Sequence, residues 1–319
     1  MRWPITFINL LTAAASAAAL PQAMIAPSAK MADPLSLRAT TFNIRYAASA
    51  STYEKPWSVR GPLVINTVSS LSTNATSTGS LAFIGMQEVL HSQLLDITKG
   101  LGSSWAYIGT GRDDGREAGE YCPIFYQPGK VTLVGSVQKW LSPTPDVPSY
   151  WPGAGSRRYV LVGIFEDSSS RKRFIVANTH LDNASGEARS EGVKIILSVL
   201  RDAQSRYGPN LPVVLTGDFN SEPGDGAYEA VVKDGYLADA YEETEEDGGQ
   251  RSGPYETYTG FVPDEIPDVS GRIDFVWLGP TSEGTGPWQA KRYEVVDNNV
   301  GGVFMSDHRP VVADVSLKV

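Results

Sequence analysis

Short segments spread along the chain end in groups that could do chemistry. Asn43 closes Thr40-Thr41-Phe42-Asn43, and Glu88 closes Phe83-Ile84-Gly85-Met86-Gln87-Glu88. His180 and Asp182 close Ala177-Asn178-Thr179-His180-Leu181-Asp182, and Asp218 and Asn220 close Val213-Val214-Leu215-Thr216-Gly217-Asp218-Phe219-Asn220. Asp274 sits in Arg272-Ile273-Asp274-Phe275, and Asp307 and His308 sit in Ser306-Asp307-His308-Arg309-Pro310. Most of these groups follow an apolar run, which is how a rigid element delivers a polar side chain to a site. The set is rich in oxygen, with 3 His and 1 Cys in the whole chain. Hard oxygen donors suit Mg²⁺, Mn²⁺ or Ca²⁺ rather than structural zinc. Carboxylates, amides and imidazoles without a Gly-rich phosphate loop point to hydrolysis at phosphorus, where a cation neutralises charge and a base orients water.

Strands must hold these groups. Residues 37–46, 81–89, 159–166, 173–179, 211–216, 272–278, 291–295 and 311–317 read as strands from their apolar and β-branched runs. Residues 121–126 and 131–140 read as a hairpin, with Gln127-Pro128-Gly129 as its turn. Residues 185–207 read as the clearest helix, because Ser185 can cap it and Val193, Ile196, Leu197 and Leu200 recur at helical spacing. Residues 226–233 suggest a short helix and 65–71 the start of another. The stretches 72–80 and 242–268 read as polar loops. Strands recurring along the chain with a few helices between them predict two packed sheets covered by helices.

The order and spacing of these motifs carry a resemblance. Asn43, Gln87-Glu88, Thr179-His180, Gly217-Asp218-Phe219-Asn220, Arg272-Ile273-Asp274-Phe275 and Ser306-Asp307-His308 together resemble the endonuclease/exonuclease/phosphatase superfamily. That superfamily includes pancreatic-type deoxyribonucleases, abasic-site endonucleases, bacterial sphingomyelinases and inositol polyphosphate 5-phosphatases. The resemblance covers about residues 37–319, so a single domain is expected there. It implies an α/β fold, a four-layer αββα sandwich of two packed mixed β-sheets flanked by helices.

The resemblance also implies roles. Glu88 would be the principal metal ligand, with Asn43 beside it and Asp307 completing the site for Mg²⁺ or Mn²⁺, Ca²⁺ being compatible. Asp218 would orient or deprotonate the attacking water, and Asn220 would hold phosphate or a second metal. His308, its tautomer set by Asp274, would stabilise the pentacovalent phosphate, and His180 would contact phosphate or protonate the leaving oxygen. Glu120, in Gly119-Glu120-Tyr121, matches a carboxylate that supports this His, and Arg158 matches an arginine that reaches the phosphate. One departure stands out. Many abasic-site endonucleases carry an acid two positions after the first Asn, where this chain has Arg45.

Composition narrows the substrate. Net charge is −9 and the sequence pI is near 4.9, with no basic tail or Lys/Arg run. This argues against tight nucleic-acid binding through a protein-borne positive patch, although a bound cation can supply charge in a nuclease. Residues 1–20 read as a signal peptide: Arg2 precedes an apolar, Ala-rich stretch, and Ala17 and Ala19 form a cleavage-like site. Residues 21–36 read as a flexible Pro/Ala/Ser lead-in. After cleavage no segment is apolar enough to span a bilayer. A single Cys, Cys122, allows no intrachain disulfide and reads as a small buried residue.

The expected function is therefore a secreted, metal-dependent hydrolase of phosphate esters, a phosphodiesterase, nuclease or phosphatase. Phospholipase C-like, sphingomyelinase-like or inositol-phosphate phosphatase activity is the alternative within that class. A binding protein on a degenerate enzyme fold is the alternative outside it, and the intact acids and imidazoles speak against it. The expected partner is a phosphate-ester substrate, either nucleic acid or a small ester, and no feature points to a protein partner. Among the remaining residues, His91 reads as structural or surface, and the acidic run 242–247 as a solvated loop, with calcium binding as a lesser alternative. The aromatic run 255–261 either lines a pocket or packs beneath the fold. Asn74 and Asn183 lie in N-x-[ST] sequons, and a glycan on Asn183 would crowd His180.

Overall fold

The apolar runs at 81–87, 159–167 and 213–218 fold as strands buried on both faces, which is why they lack a polar alternation. In this computed structural model the described residues are 1, 3–4, 34–48, 52–262, 270–282 and 286–318. Residues 1–33 form one unit and 34–319 another. The first unit lies almost wholly outside the described residues, and with it the expected signal peptide and most of the lead-in. Among the described residues no helix is long and apolar enough to cross a membrane.

The first half of the fold runs β1 (Ser36–Asn43), α1 (Trp57–Ser77), β2 (Leu81–Gln87), α2 (His91–Leu101), β3 (Ala106–Ile108), β4 (Ile124–Tyr126), β5 (Val131–Trp140), β6 (Tyr159–Asp167) and β7 (Arg173–His180). The second half runs α3 (Gly186–Tyr207), β8 (Val213–Asp218), α4 (Gly226–Asp234), β9 (Ala238–Asp239), α5 (Ala240–Glu246), β10 (Gln250–Ser252), β11 (Asp274–Gly279), β12 (Trp288–Val295), β13 (Asn299–Val300), β14 (Val303–Phe304) and β15 (Val311–Leu317).

Two mixed sheets result. One has 7 strands in the order β10-β12-β15-β1-β2-β4-β3, and the other 6 in the order β5-β6-β7-β8-β11-β9. Their facing sides share an apolar core in which Phe83 meets Phe165 and Phe174 edge-on, with centroids 4.9 and 5.6 Å apart. The outer face of the first sheet packs on α1 and α2 through Val64, Val68, Leu94 and Ile97. The outer face of the second packs on α3 and α4 through Val193, Ile196, Leu200 and Val231. This is the expected sandwich of two sheets flanked by helices.

A polar bridge crosses the core close to the strand ends. Gln87 Nε2 donates to Thr41 Oγ1 at 3.0 Å and to Asn178 Oδ1 at 2.7 Å. Asn178 Nδ2 donates to the Met86 and Pro123 carbonyls, and Thr216 Oγ1 donates to Asn178 Oδ1 at 3.1 Å. Gly85 makes this approach possible, because a Cβ there would lie 2.2 Å from Thr216 Oγ1. The network ties β1 and β2 of one sheet to β7 and β8 of the other, beneath the groups that end those strands.

Three expectations need correction. The segments 121–126 and 131–140 do not form a hairpin: β4 pairs with β2 and β3 in the first sheet, and β5 pairs with β6 in the second. The turn exists, since Lys130 and Val131 N–H donate to Gln127 O, but it carries the chain from one sheet to the other. Residues 72–80 are not a loop for most of their length, because α1 continues to Ser77. Its hydroxyls satisfy themselves on the preceding turn: Ser72 Oγ donates to Val68 O, Thr73 Oγ1 to Ser69 O and Ser77 Oγ to Asn74 O. The acidic run 242–247 is mostly helical, because Asp239 Oδ1 accepts from Tyr241 N–H and caps α5, whose first turn holds Glu242 and Glu243. Part of the stretch 242–268 lies outside the described residues.

Candidate active site

The polar groups meet because strand register aligns their ends. Asn43 ends β1, His180 ends β7 and Asp218 ends β8, while Glu88 directly follows β2. His180 and Asp218 are Cα partners across the parallel β7–β8 pair. Asp274 begins β11 and is the Cα partner of Asp218 across the antiparallel β8–β11 pair. Asp307 and His308 come from the loop before β15. A cleft of about 570 Å³ is lined by Arg45, Glu88, Glu120, Arg158, His180, Asp218, Asn220, Asp307 and His308, among others.

Local backbone aims several of these groups. Glu88 and Asn220 adopt φ of 59° and 46°, the left-handed conformation that non-glycine residues adopt at special sites. Arg60, wholly buried, donates to the carbonyls of Ile44, Arg45, Tyr46, Lys55 and Met305. One guanidinium thereby clamps the segment after Asn43 to the segment before Asp307.

Asn43, buried behind the cleft lining, donates from Nδ2 to Glu88 Oε1 at 3.1 Å and to Asp218 Oδ2 at 2.9 Å. Glu88 Oε2 accepts from Tyr46 N–H. His308 Nδ1 lies 2.8 Å from Asp274 Oδ2, and its Nε2 lies 3.7 Å from Asp218 Oδ2. The Tyr258 ring meets the His308 ring edge-on at 5.0 Å. Asn220 Nδ2 lies 3.1 Å from His180 Nε2 and donates to Leu181 O, while its backbone N–H donates to Asp218 Oδ1. His180 Nδ1 is buried without a hydrogen bond, 4.0 Å from Glu120 Oε2. Glu120 has a nearer partner in Arg112 Nη1, at 2.6 Å. Arg158 is 8% exposed and donates from Nη2 to Asn183 Oδ1, while its Nε and Nη1 are buried without hydrogen bonds.

Electrostatics separates the two imidazoles. Burial lowers His180 well below its ordinary value, and the Arg158 and Arg112 guanidiniums lower it further, so it is neutral. Burial opposes charge on His308 too, but Asp274 and Asp218 outweigh it and push the imidazole up to about 10. Burial, with the Asp274 carboxylate beside it, pushes Asp218 up to about 7. Burial also raises Asp307 and Glu120 above the usual carboxylate range.

Crowded, desolvated acids of this kind fit a divalent cation, which favours their charged forms. The donors beside one another are carboxylate oxygens, which suit Mg²⁺ or Mn²⁺, while Asn43 Oδ1 accepts from Arg45 N–H at 3.0 Å. Asp218, Asp274 and His308 bring ligand atoms within 4.8 Å of one another. In that group Asp274 Oδ2 and His308 Nδ1 already bond each other, each Asp218 oxygen accepts one hydrogen bond, and Asp274 Oδ1 is buried without one.

Other residues fall into place around the cleft. Asp182 does not face it: its carboxylate accepts from the backbone N–H groups of Gly155, Ser156, Ala184 and Ser185 and so pins two loops. Arg45 lines the cleft, 3.4 Å from Glu54 Oε1 and 3.9 Å from Glu88 Oε2. The aromatic run divides, with Tyr258 lining the cleft and Phe261 buried below Arg60. His91 bonds Tyr121 Oη through Nδ1, and Cys122 is buried. Arg112, Ser156 and Tyr46 also line the cleft, although no sequence motif singles them out. The only hint for Arg112 is its glycine-bounded turn, Gly111-Arg112-Asp113-Asp114-Gly115.

Comparison with known proteins agrees with this geometry. Residues 40–308 match the Endonuclease/Exonuclease/phosphatase family. A solved member of that family from Bacteroides thetaiotaomicron is 30% identical, with a TM-score of 0.76 over 90% of this chain and 99% of its own. A mannosyl-6-phosphatase of the same organism is 29% identical, with a TM-score of 0.74 over 88% of this chain and 100% of its own. The mouse 2',5'-phosphodiesterase 12 is 34% identical over 83 residues, 25% of this chain and 14% of that protein. The chain thus matches only a small part of that curated relative's length. The chain belongs to the endonuclease/exonuclease/phosphatase family.

Proposed function

We propose that the protein is a secreted, divalent-metal-dependent hydrolase of phosphate esters. The observation that carries this reading is the convergence of Asp218, Asp274 and His308 at one end of the two sheets, with Asn43, Glu88 and Asp307 beside them. Asn43, Glu88 and Asp307 would hold the cation. When bound, it neutralises charge that builds on the phosphate oxygens.

The remaining steps belong to the chain's own side chains. Asp218 orients the attacking water and takes its proton. His308 is held through Nδ1 by Asp274 and presents Nε2 as a charged donor to the developing phosphorane. Asn220 holds a phosphate oxygen and positions His180. His180 contacts the phosphate or the leaving oxygen, and the Arg158 guanidinium, 3.8 Å from Asp182 and 3.9 Å from Glu120, lends positive charge to the same side of the cleft.

Phosphatase and phosphodiesterase relatives both support phosphate-ester hydrolysis, and a sugar-phosphate phosphatase among the similar structures fits an acidic chain acting on small esters. A hydrolysis panel tests the reading: plasmid DNA, RNA, sphingomyelin, inositol phosphates, a hexose 6-phosphate and aryl phosphates, each with Mg²⁺. Turnover of none of them at wild-type protein above the level of Asp218→Asn would end it. Export is tested separately by sequencing the N-terminus of protein from the culture medium, where a start near Leu20 is expected and retained Met1 on intracellular protein would refute it.

A further inference from the structure

The Asp274–His308 pair spans the two sheets. Asp274 begins β11 of the 6-stranded sheet, and His308 lies just before β15 of the 7-stranded one. The two strands are not neighbours in either sheet, so no strand ladder sets the 2.8 Å between Asp274 Oδ2 and His308 Nδ1. A third segment joins the two sides. Residues 256–260 bond both of them as a short strand would, with Tyr258 bridged to Gly271 on one side and to His308 on the other. Side chains alternate along this strip: Thr257 and Thr259 are buried, and Tyr258 lines the cleft.

Thr257 makes the connection with three atoms. Its Oγ1 accepts from the backbone N–H groups of Ile273 and Asp274, each at 3.0 Å. Its carbonyl accepts from Arg309 N–H at 2.6 Å, and its N–H donates to Gly271 O at 2.9 Å. Two consecutive N–H groups converging on one oxygen fix the direction in which the chain enters β11, and with it the aim of the Asp274 carboxylate. Thr257 is 0% exposed, so loss of the hydroxyl would leave both N–H groups without that acceptor and without water to replace it.

The strip is pinned again two residues on. Thr259 N–H and Oγ1 both donate to Asp307 O, at 2.6 and 3.0 Å, and Asn298 Nδ2 donates to Thr259 Oγ1 and to Ser306 O. The strip is therefore fixed to the segment that carries His308, and Thr257 Oγ1 is the side-chain atom that ties it to Asp274.

We propose that Thr257 is the positioning residue of the Asp274–His308 pair, setting through its hydroxyl the aim of the carboxylate that holds the imidazole. This rests on the phosphate-ester reading above and adds to it a residue outside the cleft lining. Its effect passes through Asp274, so it falls on kcat rather than on binding of the substrate or the cation.

The test uses Mg²⁺ and whichever phosphate ester of the panel above wild type cleaves fastest. Thr257→Val keeps the shape of the side chain and removes the acceptor, and it should lower kcat by about ten- to hundredfold, as a small misplacement of a reacting group does. KM and the Mg²⁺ concentration for half-maximal activity should not change. Thr257→Ser keeps the oxygen and should retain most of kcat. In an Asp274→Ala background Thr257→Val should add almost no further loss, because residues acting as a unit are not additive. Proton NMR reads the pair without turnover: the ring proton between His308 Nδ1 and Asp274, identified by its absence from His308→Ala, should shift or vanish in Thr257→Val and stay in place in Thr257→Ser. Wild-type kcat in Thr257→Val, a loss as large in Asp274→Ala as in wild type, or a loss carried by KM or by the Mg²⁺ requirement overturns the proposal. So does a lower Tm with kcat and the ring proton unmoved. If Thr257→Val does not fold, Thr257→Cys, with a weaker acceptor at the same place, takes the same measurements, and a rate equal to that of Thr257→Ser overturns the proposal. A wild type inactive on every ester of the panel ends the phosphate-ester reading instead, and the ring proton alone then decides whether Thr257 positions the pair.

Discussion

Asp218 and Asp274 face each other as register partners across β8 and β11, and the Asp274 carboxylate lies 2.8 Å from His308 Nδ1. Two acids are thereby held at one level of the sheet, one bound to an imidazole and the other 3.7 Å from that ring's second nitrogen. Such an arrangement assigns different tasks to chemically identical groups.

The first prediction follows from that pairing. His308→Ala and Asp274→Ala should each lower kcat by roughly two to four orders of magnitude. The double variant should be little worse than either single one, because residues acting as a unit are not additive. Additive losses in folded protein, or an Asp274→Ala variant with near-normal kcat and only a lower Tm, would separate the two residues.

The inter-sheet bridge yields a stability prediction. Gly85→Ala places a methyl against Thr216 and Asn178 and should destabilise the fold by about 1–3 kcal/mol, as overpacking does. Denaturant unfolding measures it. A variant as stable as wild type would mean that the sheets have room to part at Asn178.

Cys122 should be inert in the folded protein. Burial pushes its thiol up to about 12, and it is 6% exposed, so little thiolate exists at neutral pH and reagents cannot reach it. A disulfide-exchange reagent should react with it only after denaturant is added. Rapid stoichiometric labelling under native conditions would contradict the buried position.

Glu88 should act mainly through the cation. Glu88→Gln keeps the size of the side chain and removes a charge, so the Mg²⁺ concentration for half-maximal activity should rise by about an order of magnitude or more, with partial rescue at high Mg²⁺. Mn²⁺ binding followed without substrate should weaken in parallel. An unchanged metal requirement would place the cation elsewhere.

The strand ends were readable in the sequence for a physical reason. A strand buried on both faces must be apolar for its whole length, so an acid or imidazole marks where it leaves the core, as at Glu88, His180 and Asp218. The helix α3 was equally readable, because Ser185 Oγ accepts from Ala188 N–H as a cap and one face is apolar. The helix α1 was hidden by a run of Ser and Thr whose preference for loops is overcome by bonds to the preceding turn. The β4–β5 turn looked like a hairpin because local sequence sets a turn but not the sheet its second arm joins. Arg112 reaches Glu120 within one local turn and Ser156 reaches Arg112 only through tertiary folding, and neither lies in a motif that marks it. Asp182 shows the reverse error, an acid with the look of a site residue whose lone pairs are spent on backbone N–H groups.

Release of inorganic phosphate or alcohol from an aryl phosphate ester, followed in Mg²⁺ and then after addition of excess chelator, tests the central claim most directly. Steady turnover in Mg²⁺ that stops on chelation, returns with Mg²⁺ or Mn²⁺, and is lost in folded Asp218→Asn is the predicted result. Undiminished turnover in excess chelator, or full activity in Asp218→Asn, would contradict it.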